Sequence, residues 1–244
     1  MKAVLFGATR GIGRSLARLM AERGDALVLL GRDADALQRS AADLQARGAA
    51  QVATAPCDLA EPAGFTAALA AAATALGDFD TVVLSAAEFA RPEQLTNDPA
   101  ATARLVTVNF ANSVAFLEAA RALLLARGGG TLCVFSSVAG DRARQQTGLY
   151  GATKAALSHY AESTDLRDRP HGLRVVLVKP GFVHTGMTAG LPAPPFAGEP
   201  DAVAARVLMA IDRGWPVVHA PAIWRVIMLA VRALPRAVLR RLAF

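Results

Sequence analysis

Short apolar runs alternate along this chain with Ala- and Leu-rich stretches of helical length. The runs are Ala3–Phe6, Ala26–Leu30, Gln51–Thr54, Thr81–Leu84, Thr131–Phe135, Arg174–Val178 and Val217–His219. Most show no apolar–polar alternation, which is typical of strands buried on both faces of a parallel sheet. Because strands that alternate with helices build βαβ units, we predict an α/β fold with one doubly wound, seven-stranded parallel sheet.

The other segments complete one domain and add a tail. Helices are predicted near residues 12–22, 34–46, 62–76, 100–126, 149–168 and 200–213. A chain of 244 residues fits a single α/β domain, which we assign to residues 1–221. The Pro- and Gly-rich stretch 186–200 is predicted to be a long loop that acts as a lid. Residues 222–244 are predicted to form an amphipathic helical tail.

Composition excludes several classes of protein. A hydrophobic fraction of 53% with 19% charged residues is incompatible with a disordered chain. The net charge of +6 is concentrated in the tail, which has five arginines and no acidic residue, so we expect no nucleic-acid partner. Two cysteines, Cys57 and Cys133, are too few for a disulfide framework, and the four histidines are dispersed. We therefore expect a cytoplasmic protein without a metal site.

A glycine-rich turn lies between the first predicted strand and the first predicted helix. Glycines at such a turn let backbone N–H groups and the helix N-terminus approach a pyrophosphate closely. The spacing G-x-x-x-G-x-G in this position indicates a dinucleotide site more than a turn without a ligand. The residues assigned to this site are Gly7, Thr9, Arg10, Gly11, Ile12 and Gly13.

The end of the second predicted strand distinguishes between two dinucleotides. An acidic residue there holds a ribose 2′-hydroxyl, whereas an arginine accommodates a 2′-phosphate. The strand runs into Gly31-Arg32, and Arg10 adds a second positive charge from the glycine turn. These two arginines favour NADP(H) as the cofactor over NAD(H), with the directly following Asp33 as the opposing feature.

Tyr150 and Lys154 are four positions apart and share one face of a predicted helix. A phenol with an ordinary pKa of ~10 is a poor proton shuttle at neutral pH, but a neighbouring ammonium and a cationic nicotinamide favour its ionised form. Ser137 follows the fifth predicted strand, at the carboxyl edge where such sheets bind ligands. The three residues predict acid–base chemistry on a carbonyl or hydroxyl oxygen.

The glycine turn, Ser137, Tyr150 and Lys154 resemble the short-chain dehydrogenase/reductase family in order and spacing, over essentially the whole chain. Asn109 resembles the helix asparagine of that family. One departure follows the fourth predicted strand, where the family has Asn-Asn-Ala-Gly and this chain has Leu84-Ser85-Ala86-Ala87. The usual asparagine contacts are expected to be lost there.

The resemblance implies a Rossmann-fold oxidoreductase with a role for each matched residue. It implies that Ser137 orients the substrate and that Tyr150 is the general acid/base. It also implies that Lys154 lowers the tyrosine pKa and holds the nicotinamide ribose, and that Asn109 maintains a proton relay through a water. A homo-oligomer acting on a small-molecule carbonyl substrate is expected. The further cofactor contacts that it implies are Asp58, Leu59, Ser85, Ala86, Pro180, Gly181, Val183 and Thr185.

The tail has the sequence AIWRVIMLAVRALPRAVLRRLAF. On a continuous helix four of its arginines share one stripe, with a kink or break at Pro235. A basic amphipathic segment of this kind lies flat on an anionic membrane, or alternatively packs in a subunit interface or over the substrate cleft. The apolar residues expected on the remaining surface are Trp224, Ile227, Met228, Val231, Leu234, Val238 and Leu242.

With the segment 136–154, the tail is also similar to a narrower group of the family, the reductases of decaprenylphosphoryl-2-keto-ribose. This similarity implies a lipid-linked carbonyl substrate and a peripheral position on the inner face of the membrane. One alternative is a soluble carbonyl or acyl-ketone reductase with an oligomerising tail. Another is a non-catalytic NADP(H)-binding regulator, which would have no need of the full set Asn109, Ser137, Tyr150 and Lys154.

Overall fold

A computed structural model describes residues 1–241, apart from the side chain of Gln146. The strands are β1 Lys2–Phe6, β2 Ala26–Gly31, β3 Gln51–Pro56, β4 Thr81–Leu84, β5 Gly130–Phe135, β6 Leu173–Pro180 and β7 Val217–Ala220. They form one parallel sheet in the order β3-β2-β1-β4-β5-β6-β7. The prediction of a doubly wound, seven-stranded parallel sheet is confirmed. The strand order reverses between β1 and β4, where sheets of this kind bind ligands.

Helices cover both faces of the sheet. They are α1 Gly11–Glu22, α2 Ala34–Ala46, α3 Phe65–Leu76, α4 Pro92–Leu95, α5 Pro99–Val106, α6 Ser113–Ala126, α7 Gly148–Asp168, α8 Pro200–Arg213, α9 Ile223–Ala233 and α10 Arg236–Leu239. Alternate residues of β1 point to opposite faces, as the pleat requires. Val4 and Phe6 pack in a core with α3, α6 and α7, whereas Ala3 and Leu5 pack in a second core with α1, α2 and α8.

The helix predicted near 100–126 is present over Pro99–Ala126, but it is not regular throughout. A π-helical turn, Thr107–Asn112, separates α5 from α6, and the Ser113 hydroxyl donates to the Val108 carbonyl within it at 2.9 Å. A π turn adds a residue to the local repeat, so the apolar pattern continues while the side chains on either side change direction. Asn109 lies in this turn and is 0% exposed.

The segment Pro99–Ala126, which includes this turn, is long and apolar enough to cross a membrane by composition alone. A core helix has the same composition, and Phe116 and Leu117 of this segment are fully buried against the sheet. Its apolar character is therefore accounted for by the packing of the domain.

The tail breaks at Pro235 into α9 and α10, as predicted. Trp224, Met228 and Val231 on one face of α9 are buried in a cluster with Val138 of the main domain. The opposite face of α9 is exposed. Of the predicted tail residues, Leu242 lies outside the described residues.

Candidate active site

The glycine turn is folded tightly onto the segment that follows β4. Gly7 has φ +102°, and a Cβ on it would lie 2.5 Å from the backbone nitrogen of Ala86. A Cβ on Gly13 would lie 2.4 Å from the Gly7 carbonyl oxygen. Because no other residue fits at either position, the backbone of the turn stays uncovered. The turn therefore fits the pyrophosphate of a dinucleotide.

Ser85 compensates for the departure from the family pattern after β4. Its hydroxyl donates to the carbonyls of Phe6 and Gly7, with oxygen–oxygen distances of 3.1 and 3.2 Å. The backbone N–H groups of Ser85 and Ala86 both donate to the Phe6 carbonyl, at 2.9 and 3.0 Å. The turn is thus tied to the segment after β4 by the side chain and backbone of Ser85.

The start of α1 completes the phosphate-binding region. Arg10 is the N-cap residue, and the first turn of α1 contains no acidic side chain that would oppose an anion. A Cβ on Gly11 would lie 3.3 Å from the Thr185 methyl group, so the loop after β6 reaches the glycine turn. Thr9 and Ile12, also predicted here, are half-buried in this turn.

The region beside β2 and β3 holds the residues predicted for the adenosine end. Arg10 and Arg32 are both exposed, and neither side chain makes a hydrogen bond or ion pair within residues 1–241. The Asp33 carboxylate accepts from the Ala36 N–H at 2.9 Å and so caps α2. This oxygen is committed to the helix that follows, and the second Asp33 oxygen accepts no hydrogen bond within residues 1–241.

The segment after β3 is fixed by two hydrogen bonds. An Asp58 carboxylate oxygen accepts from the Ala60 N–H at 2.9 Å. The buried Leu59 offers its carbonyl to the side-chain amide of Asn112, also at 2.9 Å. The second Asp58 oxygen carries no hydrogen bond within the described chain, which leaves it for an adenine ring.

Two glycines bring Ser137 beside Tyr150. A Cβ on Gly140 would lie 2.7 Å from the backbone nitrogen of Ala155, and one on Gly151 would lie 2.7 Å from the Ala139 carbonyl oxygen. The turn after β5 therefore rests directly on α7. Ser137 caps this turn, where its hydroxyl oxygen accepts from the Ala139 N–H at 3.1 Å.

Lys154 lies one helical turn from Tyr150 and is 2% exposed. Its Nζ donates to the Phe135 carbonyl at 2.8 Å and lies 5.8 Å from the centre of the Tyr150 ring. Burial lowers the pKa of Lys154 to about 8. Burial raises the pKa of Tyr150 to about 12, and the neighbouring Ser137 hydroxyl acts in the opposite direction.

The implied lowering of the Tyr150 pKa by Lys154 is therefore not produced by the protein groups alone. Lys154 is buried and Tyr150 is half-buried at the end of β5, which disfavours the ammonium and the phenolate. Any group that favours the phenolate in this site has to outweigh the effect of burial on the Tyr150 pKa.

Asn109 holds the segment after β4 in place. Its Oδ1 accepts from the Glu88 N–H and its Nδ2 donates to the Glu88 carbonyl, both at 2.8 Å. Since both polar atoms of its amide are occupied, the side chain acts through Glu88. The ring of the next residue, Phe89, packs edge-to-face on Tyr150 with centroids 5.2 Å apart. Sequence reasoning missed Glu88 and Phe89, which match no motif.

A cleft of about 500 Å³ opens beside Phe89. It lies between the segment after β4 and the loop predicted to be a lid. That loop is closed at its base, where the Gly198 N–H donates to the Phe182 carbonyl at 2.8 Å and Val183 pairs with Gly198. The residues that line the cleft are Phe89, Arg91, Glu93, Gln94, Met187 and Leu191.

The catalytic turn, residues 137–141 after β5, is anchored at its end by a buried charged cluster. Asp141 accepts from Lys179 Nζ at 2.9 Å, and its second oxygen lies 3.5 Å from His219 Nε2. Burial acts to raise the pKa of Asp141, but the hydrogen bonds of His219 and Lys179 outweigh it and lower that pKa. The cluster fixes the turn to β6 and β7.

Known proteins share this sequence and architecture. A family model described as short chain dehydrogenase matches residues 1–194. The chain belongs to the short-chain dehydrogenase/reductase family. Members are NAD(P)(H)-dependent oxidoreductases that act on small-molecule carbonyl substrates and commonly form oligomers.

Two relatives and one solved structure illustrate the match. An oxidoreductase of Mycobacterium tuberculosis, described only as uncharacterized, is 36% identical over 241 residues, covering 98% of this chain and 96% of that protein. Carbonyl reductase family member 4 of Danio rerio is 30% identical over 189 residues, covering 78% of each chain. A short-chain type dehydrogenase/reductase from Mycobacterium ulcerans has a TM-score of 0.81 at 23% identity and covers 98% of this chain and 97% of its own, which shows a shared fold.

Proposed function

We propose that this protein transfers hydride between NADP(H) and a ketone or secondary alcohol. The observation that carries the proposal is the contact of the catalytic turn with α7 through Gly140 and Gly151, which sets Ser137 beside Tyr150. The site lies at the carboxyl edge of the sheet next to the glycine turn, and the similarity to a protein named carbonyl reductase supports the same chemistry.

Each step other than hydride transfer falls to a residue of this chain. Bound at the glycine turn, NADPH supplies the hydride for reduction. Ser137 Oγ binds the carbonyl oxygen, and Tyr150 Oη donates its proton to that oxygen as the alcohol forms. In alcohol oxidation the same phenol accepts the proton. Lys154 holds a positive charge beside the phenol, and Asn109 positions the segment that borders it.

Preference for NADP(H) over NAD(H) is supported by the charges near β2. Arg10 and Arg32 are exposed and make no ion pair within the described chain. Asp33, which follows Arg32, uses one carboxylate oxygen to cap α2, and its single negative charge is outnumbered by the two arginines. The local charge therefore suits a 2′-phosphate.

The decisive experiment compares wild type with Tyr150→Phe in NADPH oxidation driven by a panel of ketones. We expect the variant to bind NADPH as wild type does and to lose turnover by roughly 10²-fold or more, the scale of general acid catalysis. Equal turnover by the two proteins would remove Tyr150 from the mechanism. NADPH binding without turnover on any ketone or alcohol would favour the non-catalytic regulator.

A lipid-linked keto sugar is a second candidate substrate, and the outer face of α9 favours it. Val226 and Leu229 are 63% and 72% exposed there, and Arg225 and Arg232 lie on the same exposed face. This combination suits contact with an anionic membrane. A cytoplasmic enzyme held peripherally at the membrane, and assembled as a homo-oligomer, is part of this proposal.

A further inference from the structure

Phe89 contacts the ring of Tyr150 and also borders the cleft. Its ring packs edge-to-face on the Tyr150 ring, at 79° and 5.2 Å between centroids, and also lines the cleft of about 500 Å³. A carbonyl compound whose oxygen reaches Tyr150 from this cleft has the rest of its body beside Phe89. The side chain at position 89 therefore affects which carbonyl compounds bind.

The facing wall of the cleft is also apolar. Met187 and Leu191 belong to the loop between β6 and α8, and Met187 is 43% exposed. Methionine adapts its shape to irregular apolar partners. Arg91 and Glu93 place one positive and one negative charge among the lining residues, so the cleft offers no net charge. Half of the lining residues are polar, and the apolar contact that the cleft offers comes from Phe89, Met187 and Leu191.

Phe89 is held firmly although it lies in a connecting segment. The preceding residue, Glu88, is bound through its backbone to Asn109. Its carboxylate is bound through Arg104 on α5, with Nη2 2.6 Å from Oε1. On the other side the Arg91 N–H donates to the Gln94 side chain at 2.8 Å at the start of α4. The chain on both sides of Phe89 is thus anchored, which suits its side chain to orient a ligand.

We propose that Phe89 is a substrate-positioning residue and that the cleft takes the apolar body of the carbonyl substrate, enclosed from the loop by Met187 and Leu191. This inference rests on the proposed function, because it concerns the substrate of the same site. It names an apolar carbonyl compound as the substrate class.

Two methyl ketones test the proposal: 4-phenyl-2-butanone and 2-butanone have the same reacting group and differ by a phenyl ring. We expect kcat/KM of the wild type to be at least about tenfold higher for the phenyl compound, since burial of an aromatic body favours binding. Phe89→Ala is expected to reduce this ratio to about one, mainly through KM, and Phe89→Leu to retain part of it. Phe196→Ala is the matched control, because Phe196 is a 61% exposed phenylalanine of the loop between β6 and α8 and does not line the cleft.

Binding measured without turnover separates this inference from the proposed function. Ligand-detected NMR of 4-phenyl-2-butanone with the NADP⁺ complex is expected to show contact from the phenyl ring in wild type and Phe196→Ala, and weaker contact in Phe89→Ala. If the ring binds in this pattern but no ketone is reduced, the proposed reaction is wrong and the cleft assignment stands. If the ring does not bind to wild type, or binds equally well to Phe89→Ala, the inference is overturned even where ketones are reduced.

Discussion

The side chain of Asn109 is joined to the backbone of Glu88 by two hydrogen bonds of 2.8 Å, one donated and one accepted. The pairing connects a fully buried residue of the π turn to the segment that carries Phe89. An amide with both ends satisfied sets the position of that backbone more firmly than a single bond would. The two bonds of Asn109 thus hold in place the segment that borders the cleft.

Replacing Asn109 is expected to weaken that wall and lower activity. Asn109→Asp keeps an acceptor for the Glu88 N–H but places an oxygen against the Glu88 carbonyl, which loses its donor. We expect a loss of about 2 kcal/mol in the free energy of unfolding, the scale of an unsatisfied buried group. Turnover should fall roughly 10–100-fold as the cleft shifts. Urea unfolding and ketone reduction measure the two effects.

Asn112→Ala is the matched control for this change. Asn112 is another buried asparagine of the π turn, but its amide donates to Leu59 at the nucleotide end. We expect a similar loss of stability with a weaker effect on the KM for ketone. If both variants changed ketone reduction equally, Asn109 would act on stability and not on the cleft.

Local patterns in the sequence predicted the parts of the site that depend on local geometry. The glycine turn and the Tyr150–Lys154 spacing each occupy one strand–turn–helix or helix segment, and the structure places them as that spacing requires. The strand pattern also predicted the sheet, because strands buried on both faces are continuous apolar runs.

The π turn and the role of Glu88 could not be predicted in this way. The apolar spacing of 100–126 predicts a helix over this range. It does not distinguish an α-helical turn from a π-helical turn within that helix. Glu88 binds through its backbone N–H and carbonyl, which every residue other than proline has, so its side-chain type gives no signal. Its partner, Asn109, is 21 residues away along the chain. Phe89 could not be predicted either, because its contact with Tyr150 forms only in the folded chain.

Arg32 is expected to select NADPH. A charge-assisted hydrogen bond to a 2′-phosphate contributes about 1.5–3 kcal/mol, so Arg32→Ala should weaken NADPH binding by roughly 10–100-fold and leave NADH binding nearly unchanged. Calorimetric titration with both cofactors measures the change. Asp33→Asn is the control, because asparagine also caps helices and α2 should keep its start. Equal wild-type affinity for NADPH and NADH would contradict the assignment.

Lys154 is expected to give the stability a specific pH dependence. Burial lowers its pKa from 10.5 to about 8, so between these values the unfolded chain keeps a proton that the folded chain has lost. Stability therefore increases as pH rises through this window, and below it the folded protein carries the cost of a buried ammonium. Relative to Lys154→Met, wild type should gain on the order of 3 kcal/mol from pH 7.5 to 10.5. Urea unfolding at both pH values measures the gain; a constant difference between the proteins would show that Lys154 remains charged when buried.

The outer face of α9 is expected to bind anionic membranes. Removing the whole tail is a poor test, because the inner face of α9 is part of the fold: a Cβ on Gly181 would lie 2.1 Å from Trp224 Nε1, and that Nε1 donates to the Phe196 carbonyl at 3.1 Å. Substitutions confined to the outer face avoid this problem. Arg225→Glu with Arg232→Glu reverses the charge, and Val226→Ser with Leu229→Ser removes the apolar contact.

In co-sedimentation with vesicles containing phosphatidylserine, wild type should pellet, and salt should weaken the binding because each basic side chain near the surface contributes roughly 1 kcal/mol of screened attraction. The charge-reversed variant should lose the part of the binding that salt removes, and the serine variant the part that persists in salt. Leu166→Ser is the control, because Leu166 is 80% exposed on α7 and lies outside the tail. If wild type stays in solution and the serine variant has a lower mass by light scattering, the face joins two copies of this chain. The lipid-linked substrate would then lose its support, while the cleft beside Phe89 would still be open to a free ketone.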